Sequence, residues 1–286
     1  MNALKTTVLL AALIGLFMLF GGVLGGRSGV IIAFIIGMLM NFVMYWFSDK
    51  LVLSMYGAKP LAAGEAPELV KMVANLASRM DLPMPKVYII KMAAPNAFAT
   101  GRDPAHAAVA VSPSIMELLS KHELEAVLAH ELSHIKHRDT LIATLAAGIA
   151  SAISMLANLA YFASFFGGRG GDDEDSNPLV LLVLAILTPI VAMFIQLAIS
   201  RTREYVADSG AATVTNRPQS MISALEKIHG YAKEAPVSGG APSTASLFIA
   251  NPYKESFMVN LLSTHPTLSR RIKNLQKTAE ELGMPF

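Results

Sequence analysis

The chain has 286 residues, of which 53% are hydrophobic and only 15% charged, and its formal net charge is +2. Soluble domains carry about 25% charged residues, so the deficit points to a membrane protein. A near-neutral chain without a basic-aromatic run gives no basis for nucleic-acid binding, and the absence of cysteine excludes disulfides, thiolate zinc sites and a cysteine nucleophile.

The first two elements are uncharged apolar runs at 8–26 and 30–47, separated only by Arg27-Ser28-Gly29. Each is close to the roughly 20 residues a helix needs to cross the hydrocarbon layer, so together they predict a tight transmembrane hairpin. Lys5 before an apolar core imitates a signal peptide, but the run is too long and no Ala-x-Ala site follows, so no cleavage is expected. Segment 48–140 should begin with a helix near 67–79. VYIIK (87–91) then reads as a strand, NAFATG (96–101) as a strand end or turn, and HAAVAVS (106–112) alternates as a second strand. Ser120-Lys121-His122-Glu123 has the spacing of a capping box, which starts a long helix near Lys121.

Two further uncharged runs lie at 141–166 and 178–200. The first of them carries Ser151, Ser154 and Asn158 and is the weaker span; Pro189 should kink the other, which membrane helices tolerate. Between them lies a Gly-rich acidic loop, 167–177. Segment 201–286 reads as helical apart from a loop at 235–246. With the N-terminus inside, the segments 1–7, 48–140 and 201–286 hold 21 of the 23 Lys and Arg residues. The positive-inside rule therefore puts both termini and both large polar segments in the cytoplasm. The expected organisation is a two-helix hairpin (1–47), one cytoplasmic domain built from 48–140 and 201–286, and a second hairpin (141–200) with its acidic loop outside.

The chemistry sits where the long helix meets the third apolar run. His130-Glu131-Leu132-Ser133-His134 is H-E-x-x-H. On a helix, residues four apart share a face. Two imidazoles at that spacing can hold one zinc ion, and the intervening glutamate can act as general base on its water. A catalytic zinc needs a third protein ligand. A third histidine in the extended pattern would require Gly at 137 and His at 140, where this chain has His137 and Thr140. His137 lies about 10 Å from His130 along the axis, too far to share its metal. Topology favours Glu204, which emerges four residues beyond the fourth run at the same membrane face. Asp139 is too close in sequence to His134 to fold back easily, and Asp172, Asp173, Glu174 and Asp175 lie across the membrane. Asp208, one turn beyond Glu204, is placed to orient a ligating histidine.

NAFATG at 96–101, AHELSHIKHRD at 129–139, SRTREYVADSGAA at 200–212 and STHPTLSRRI at 263–272 occur in order and resemble the membrane-embedded zinc metalloproteases of the HtpX type, relatives of the eukaryotic CAAX prenyl protease Ste24. The resemblance implies four transmembrane helices plus a cytoplasmic, mainly helical α+β zincin-like domain with a small sheet, in the bacterial inner membrane. It implies one zinc per chain on His130, His134 and Glu204, with Glu131 as base. His265 and Arg271 would stabilise the oxyanion or hold the substrate, and Asn96 would contact substrate backbone beside a strand edge. The implied partners are misfolded or damaged membrane proteins or peptides and the lipid bilayer; oligomeric state is not readable. CAAX-type processing is the nearest alternative. An intramembrane site-2-type protease would put its motif inside a span, and a non-enzymatic metal-binding scaffold should carry ionisable groups within its spans; neither pattern is present.

Overall fold

The computed structural model describes residues 2–62, 64–143, 201–234, 248–249 and 266–284. Almost all of the expected spans at 141–166 and 178–200 lies outside the described residues, as do the loops 167–177 and 235–246 and His265.

Helical geometry runs from Asn2 to Met55 (α1), yet the chain reverses inside it. Gly26 has φ +53°, the left-handed conformation that glycine adopts without a Cβ penalty. Beyond it the two halves lie antiparallel. Gly21 meets Gly29 backbone to backbone and Gly37 packs on Ile14 and Phe17. Asn41 Nδ2 donates to the Leu10 carbonyl at 2.9 Å. This is the expected hairpin, with its corner at Gly26, just before the Arg27-Ser28-Gly29 turn inferred from sequence. Its second half, Gly26–Phe47, is long and apolar enough to cross a membrane. Ile31, Ile32, Ile35, Leu39 and Phe42 are all exposed on it.

A mixed sheet follows, of order β1 (Lys59–Pro60), β2 (Lys86–Ile89), β4 (Ala107–Val111), β3 (Ala97–Gly101). β2 and β4 are parallel, while the β1–β2 and β3–β4 pairs are antiparallel. NAFATG is thus a full edge strand and not merely a strand end. Successive side chains on a strand point to opposite faces. Ala97, Ala99, Ala107, Val109 and Val111 accordingly enter the helical core, whereas Phe98, Ala108 and Ala110 face a second cluster with Val52 and Leu53 at the end of α1. The Tyr56 and Phe98 rings meet there at 5.1 Å. Each large apolar side chain buried in this way contributes about 1.5–3 kcal/mol, so the back of the sheet ties the hairpin to the rest of the molecule.

α2 (Pro67–Arg79) buries Leu69, Met72, Val73, Leu76 and Ala77, the i, i+3, i+4 stripe of an amphipathic helix. After the short α3 (Pro113–Leu118) comes α4 (Lys121–Lys136), opened by the predicted capping box: Ser120 accepts from the Glu123 N–H, and the Glu123 carboxylate from the Ser120 N–H. The helix is central, with Leu124 and the whole stretch Ala126–Ser133 buried. α5 (Arg201–Thr215) and α6 (Pro218–Glu234) pack against it, and α7 (Leu268–Glu281) packs on those two helices. α5 crosses α4 closely because Gly210 has no side chain: a Cβ there would stand 2.6 Å from Ser133 Oγ.

Candidate metal centre

His130 and His134 lie one turn apart on α4, and α5 brings Glu204 to them from 70 residues further along the chain. The two Nε2 atoms are 3.2 Å apart. Glu204 Oε2 is 3.7 Å from His130 Nε2, and Glu204 Oε1 is 3.4 Å from His134 Nε2. Donor atoms bound about 2.0–2.1 Å from a tetrahedral zinc stand roughly 3.3–3.4 Å from one another. The three groups therefore fit such an ion, and their nitrogen and carboxylate donors suit it chemically. Among the described residues this is the cluster able to hold a metal.

The far side of each imidazole faces a carboxylate. His130 Nδ1 is 3.0 Å from Asp208 Oδ1, as the helical spacing from Glu204 predicts. Arg271 then clamps Asp208 from both nitrogens, Nη2 donating at 2.6 Å and Nε at 2.8 Å. Burial opposes ionisation of Asp208, but the Arg271 charge and hydrogen bonds prevail and hold its carboxyl below the usual range. On the other histidine, His134 Nδ1 is 3.4 Å from Asp139 Oδ2. Asp139 was expected not to fold back easily as a third ligand; it does fold back, but onto the outer ring nitrogen. α4 ends at Lys136, and Arg138, at φ +57°, adopts the left-handed conformation that reverses a chain at a helix end. Asp139 reaches the ring nitrogen opposite the metal-facing one, so it backs the ligand and does not replace Glu204.

Glu131 is buried, and its Oε2 accepts a hydrogen bond from the Ala99 N–H of edge strand β3 at 2.9 Å. Burial pushes its carboxyl above the usual range; the nearby histidines pull the other way, and Glu204 reinforces the rise. A carboxylate made more basic by burial is suited to take a proton from water. For His134, burial disfavours the imidazolium, yet Asp139 and Glu204 outweigh it and push the pKa up to about 10. Metal binding at neutral pH must therefore displace that proton.

Other expected residues fall differently. Arg271, which the resemblance gave as stabilising the oxyanion or holding the substrate, is fully buried: besides Asp208 it donates to the Ile249 carbonyl at 3.0 Å and stands 3.6 Å from Glu204. Its guanidinium organises the centre from behind. Asn96 is also fully buried, and its Oδ1 accepts from the Ile249 N–H at 3.4 Å, which commits the side chain to the 248–249 segment. His137 holds the Ser133 carbonyl at 2.8 Å through Nδ1 and takes no part in the cluster. Sequence reasoning missed Ala99 and Arg203. A backbone donor leaves no mark in sequence, and the partner of Arg203, Asp139, lies 64 residues away along the chain.

Comparison with known proteins agrees with this geometry. Residues 63–279 match the pattern of Peptidase family M48. A protease HtpX homolog from Ralstonia pickettii is 49% identical over 281 residues, covering 98% of this chain and 97% of the relative. One from Methylibium petroleiphilum is 50% identical over 276 residues, covering 96% of each. The crystal structure of S. mikatae Ste24p superposes with TM-score 0.50 at 20% identity; the match covers 96% of this chain but spans only 65% of Ste24p, and it shows a shared fold.

Proposed function

This chain belongs to peptidase family M48 and is a metalloprotease, and on that premise we propose that it is a zinc endopeptidase of the bacterial inner membrane that removes misfolded or damaged membrane proteins. The observation that carries the reading is the His130–His134–Glu204 cluster with Glu131 buried beside it.

The substrate chain lies extended along the outer edge of β3. When bound, zinc supplies a Lewis acid and brings the pKa of water down to about 7. Glu131 accepts the proton of the water that attacks the scissile carbonyl carbon. It then hands that proton to the departing amine as the C–N bond breaks, leaving a carboxylate and a free amine. His265, outside the described residues, is the candidate donor to the developing oxyanion. Membrane residence is supported by the length and apolar character of the Gly26–Phe47 helix, whose continuation at Val52 and Leu53 packs on the back of the sheet.

The test is Glu131→Gln in full-length protein purified in detergent, with zinc content and casein cleavage measured together. Retained zinc with lost cleavage is expected; unchanged cleavage would sink the assignment. Glu204→Ala should leave the protein unable to hold zinc at limiting metal, and full occupancy would remove Glu204 from the ligand set. A reporter fused after Phe286 should read cytoplasmic, and a periplasmic signal would overturn the topology.

A further inference from the structure

Resting on the metal-site reading above, we propose that Asp139, held by Arg203, is a positioning residue that fixes the tautomer and direction of His134. The pair also ties together the two ends of the long insertion between α4 and α5 at the metal centre.

Three observations converge. The first is repetition. Arg271–Asp208–His130 is an arginine–carboxylate–imidazole chain ending at one ligand, and Arg203–Asp139–His134 is a second one ending at the other. In the second, Asp139 Oδ1 is 2.9 Å from Arg203 Nη1 while Oδ2 is 3.4 Å from His134 Nδ1. Each oxygen thus has its own partner. A ligating histidine whose other nitrogen meets a carboxylate keeps its N–H there and leaves Nε2 free to bind metal.

The second is burial. The side chains of Asp139 and Arg203 are only 10% and 14% exposed. A surface ion pair contributes little, but a largely buried carboxylate between an arginine and an imidazole meets both partners with little screening by water.

The third is the backbone. Arg138 takes the left-handed conformation at φ +57°, which is disfavoured for a residue other than glycine. The residue after Asp139 is also tied down, since Thr140 Oγ1 donates to the Gly101 carbonyl at 3.0 Å on the edge strand. Asp139 is therefore set between a reversed helix end and β3, aimed at the ring.

Asp139 precedes the insertion and Arg203 follows it, so the pair brings the two described ends of the insertion together beside His134.

The experiment measures zinc affinity of the full-length protein in detergent by competition with a chelator of known affinity, zinc alone being the probe. Asp139→Ala should weaken zinc binding about 10–100-fold, the range for loss of a group that orients a ligand. Asp139→Asn, which keeps an acceptor, should weaken it less. Arg203→Lys should retain more affinity than Arg203→Gln. The cobalt(II)-substituted protein gives a signature that a purely structural role would not move: the visible bands of tetrahedral cobalt should shift in Asp139→Ala, while the metal-free protein melts as wild type does. Should Asp139→Ala fail to fold, Arg203→Gln carries the same two measurements. Zinc affinity within twofold of wild type together with an unchanged cobalt spectrum would overturn the proposal. So would a loss of affinity that merely tracks destabilised metal-free protein. If wild type itself takes up no zinc, the metal-site reading fails with it; if wild type binds and the variants bind equally, only the positioning role is lost.

Discussion

Helix α4 buries two glutamates about two turns apart, and the contrast between them separates what holds the molecule together from what makes it reactive. Glu123, at the first turn, is surrounded by donors. Ser223 Oγ donates to it at 2.6 Å, Lys227 Nζ at 2.7 Å and the Ser120 N–H at 2.7 Å. Burial alone would raise its pKa, but these donors prevail and bring it down to about 2. Glu131, deeper in the helix, receives one backbone N–H and is pushed up by burial. The residue type and the helix are the same; the number of donors aimed at the carboxylate decides which one is held ionised and which one is pushed above the usual carboxyl range.

Exchanging each glutamate for glutamine is the strongest way to break that contrast. Glu131→Gln should lower kcat by about 10²–10⁴, the usual contribution of a general base, while the metal-free protein melts no lower than wild type, because a buried carboxyl short of donors is being removed. Glu123→Gln should do the reverse: kcat per folded molecule stays, and unfolding free energy drops on the order of 2 kcal/mol. Chemical denaturation alongside steady-state cleavage reads both, and a parallel loss in the two variants would dissolve the distinction.

The same contrast has a pH signature. Because the folded pKa of Glu123 lies below its ordinary 4.5, at about 2, its stabilisation is fully present above pH 4.5 and disappears as pH falls from there towards 2. Wild type should lose stability across that window, and Glu123→Gln should show a shallower slope. Equal slopes would show that Glu123 is not the anchor.

A smaller effect tests the packing that lets α5 deliver Glu204. Gly210→Ala puts a methyl group 2.6 Å from Ser133 Oγ and should cost about 1–3 kcal/mol as overpacking does. Adding Ser133→Ala removes that hydroxyl and should recover part of the loss. If the double variant is no better than the single, the close helix crossing is not what Gly210 provides.

Local patterns determined a good deal. The capping box at Ser120 starts α4 where expected, because the reciprocal bonds close within four residues. H-E-x-x-H puts two imidazoles on one face by helical geometry alone, and the i+4 step from Glu204 to Asp208 does the same on α5. The helical hairpin was readable from two charge-free apolar runs with a short break between them, and its corner falls at the glycine that tolerates a positive φ.

What the sequence could not determine is how the ends of these elements are aimed. Asp139 reaches His134 because Arg138 turns left-handed, a conformation no propensity would assign to arginine. Arg271 lies behind the centre because α7 packs its guanidinium onto Asp208, and motif resemblance alone had suggested a substrate contact. Ala99 holds Glu131 through a backbone N–H that any residue would supply. Sequence by itself specified which groups could hold the metal, His130, His134 and Glu204, since spacing along a helix is a local property. Only the tertiary structure decided which donors and acceptors face them, because that depends on contacts between segments 60 or more residues apart, such as Arg203 with Asp139 and Arg271 with Asp208.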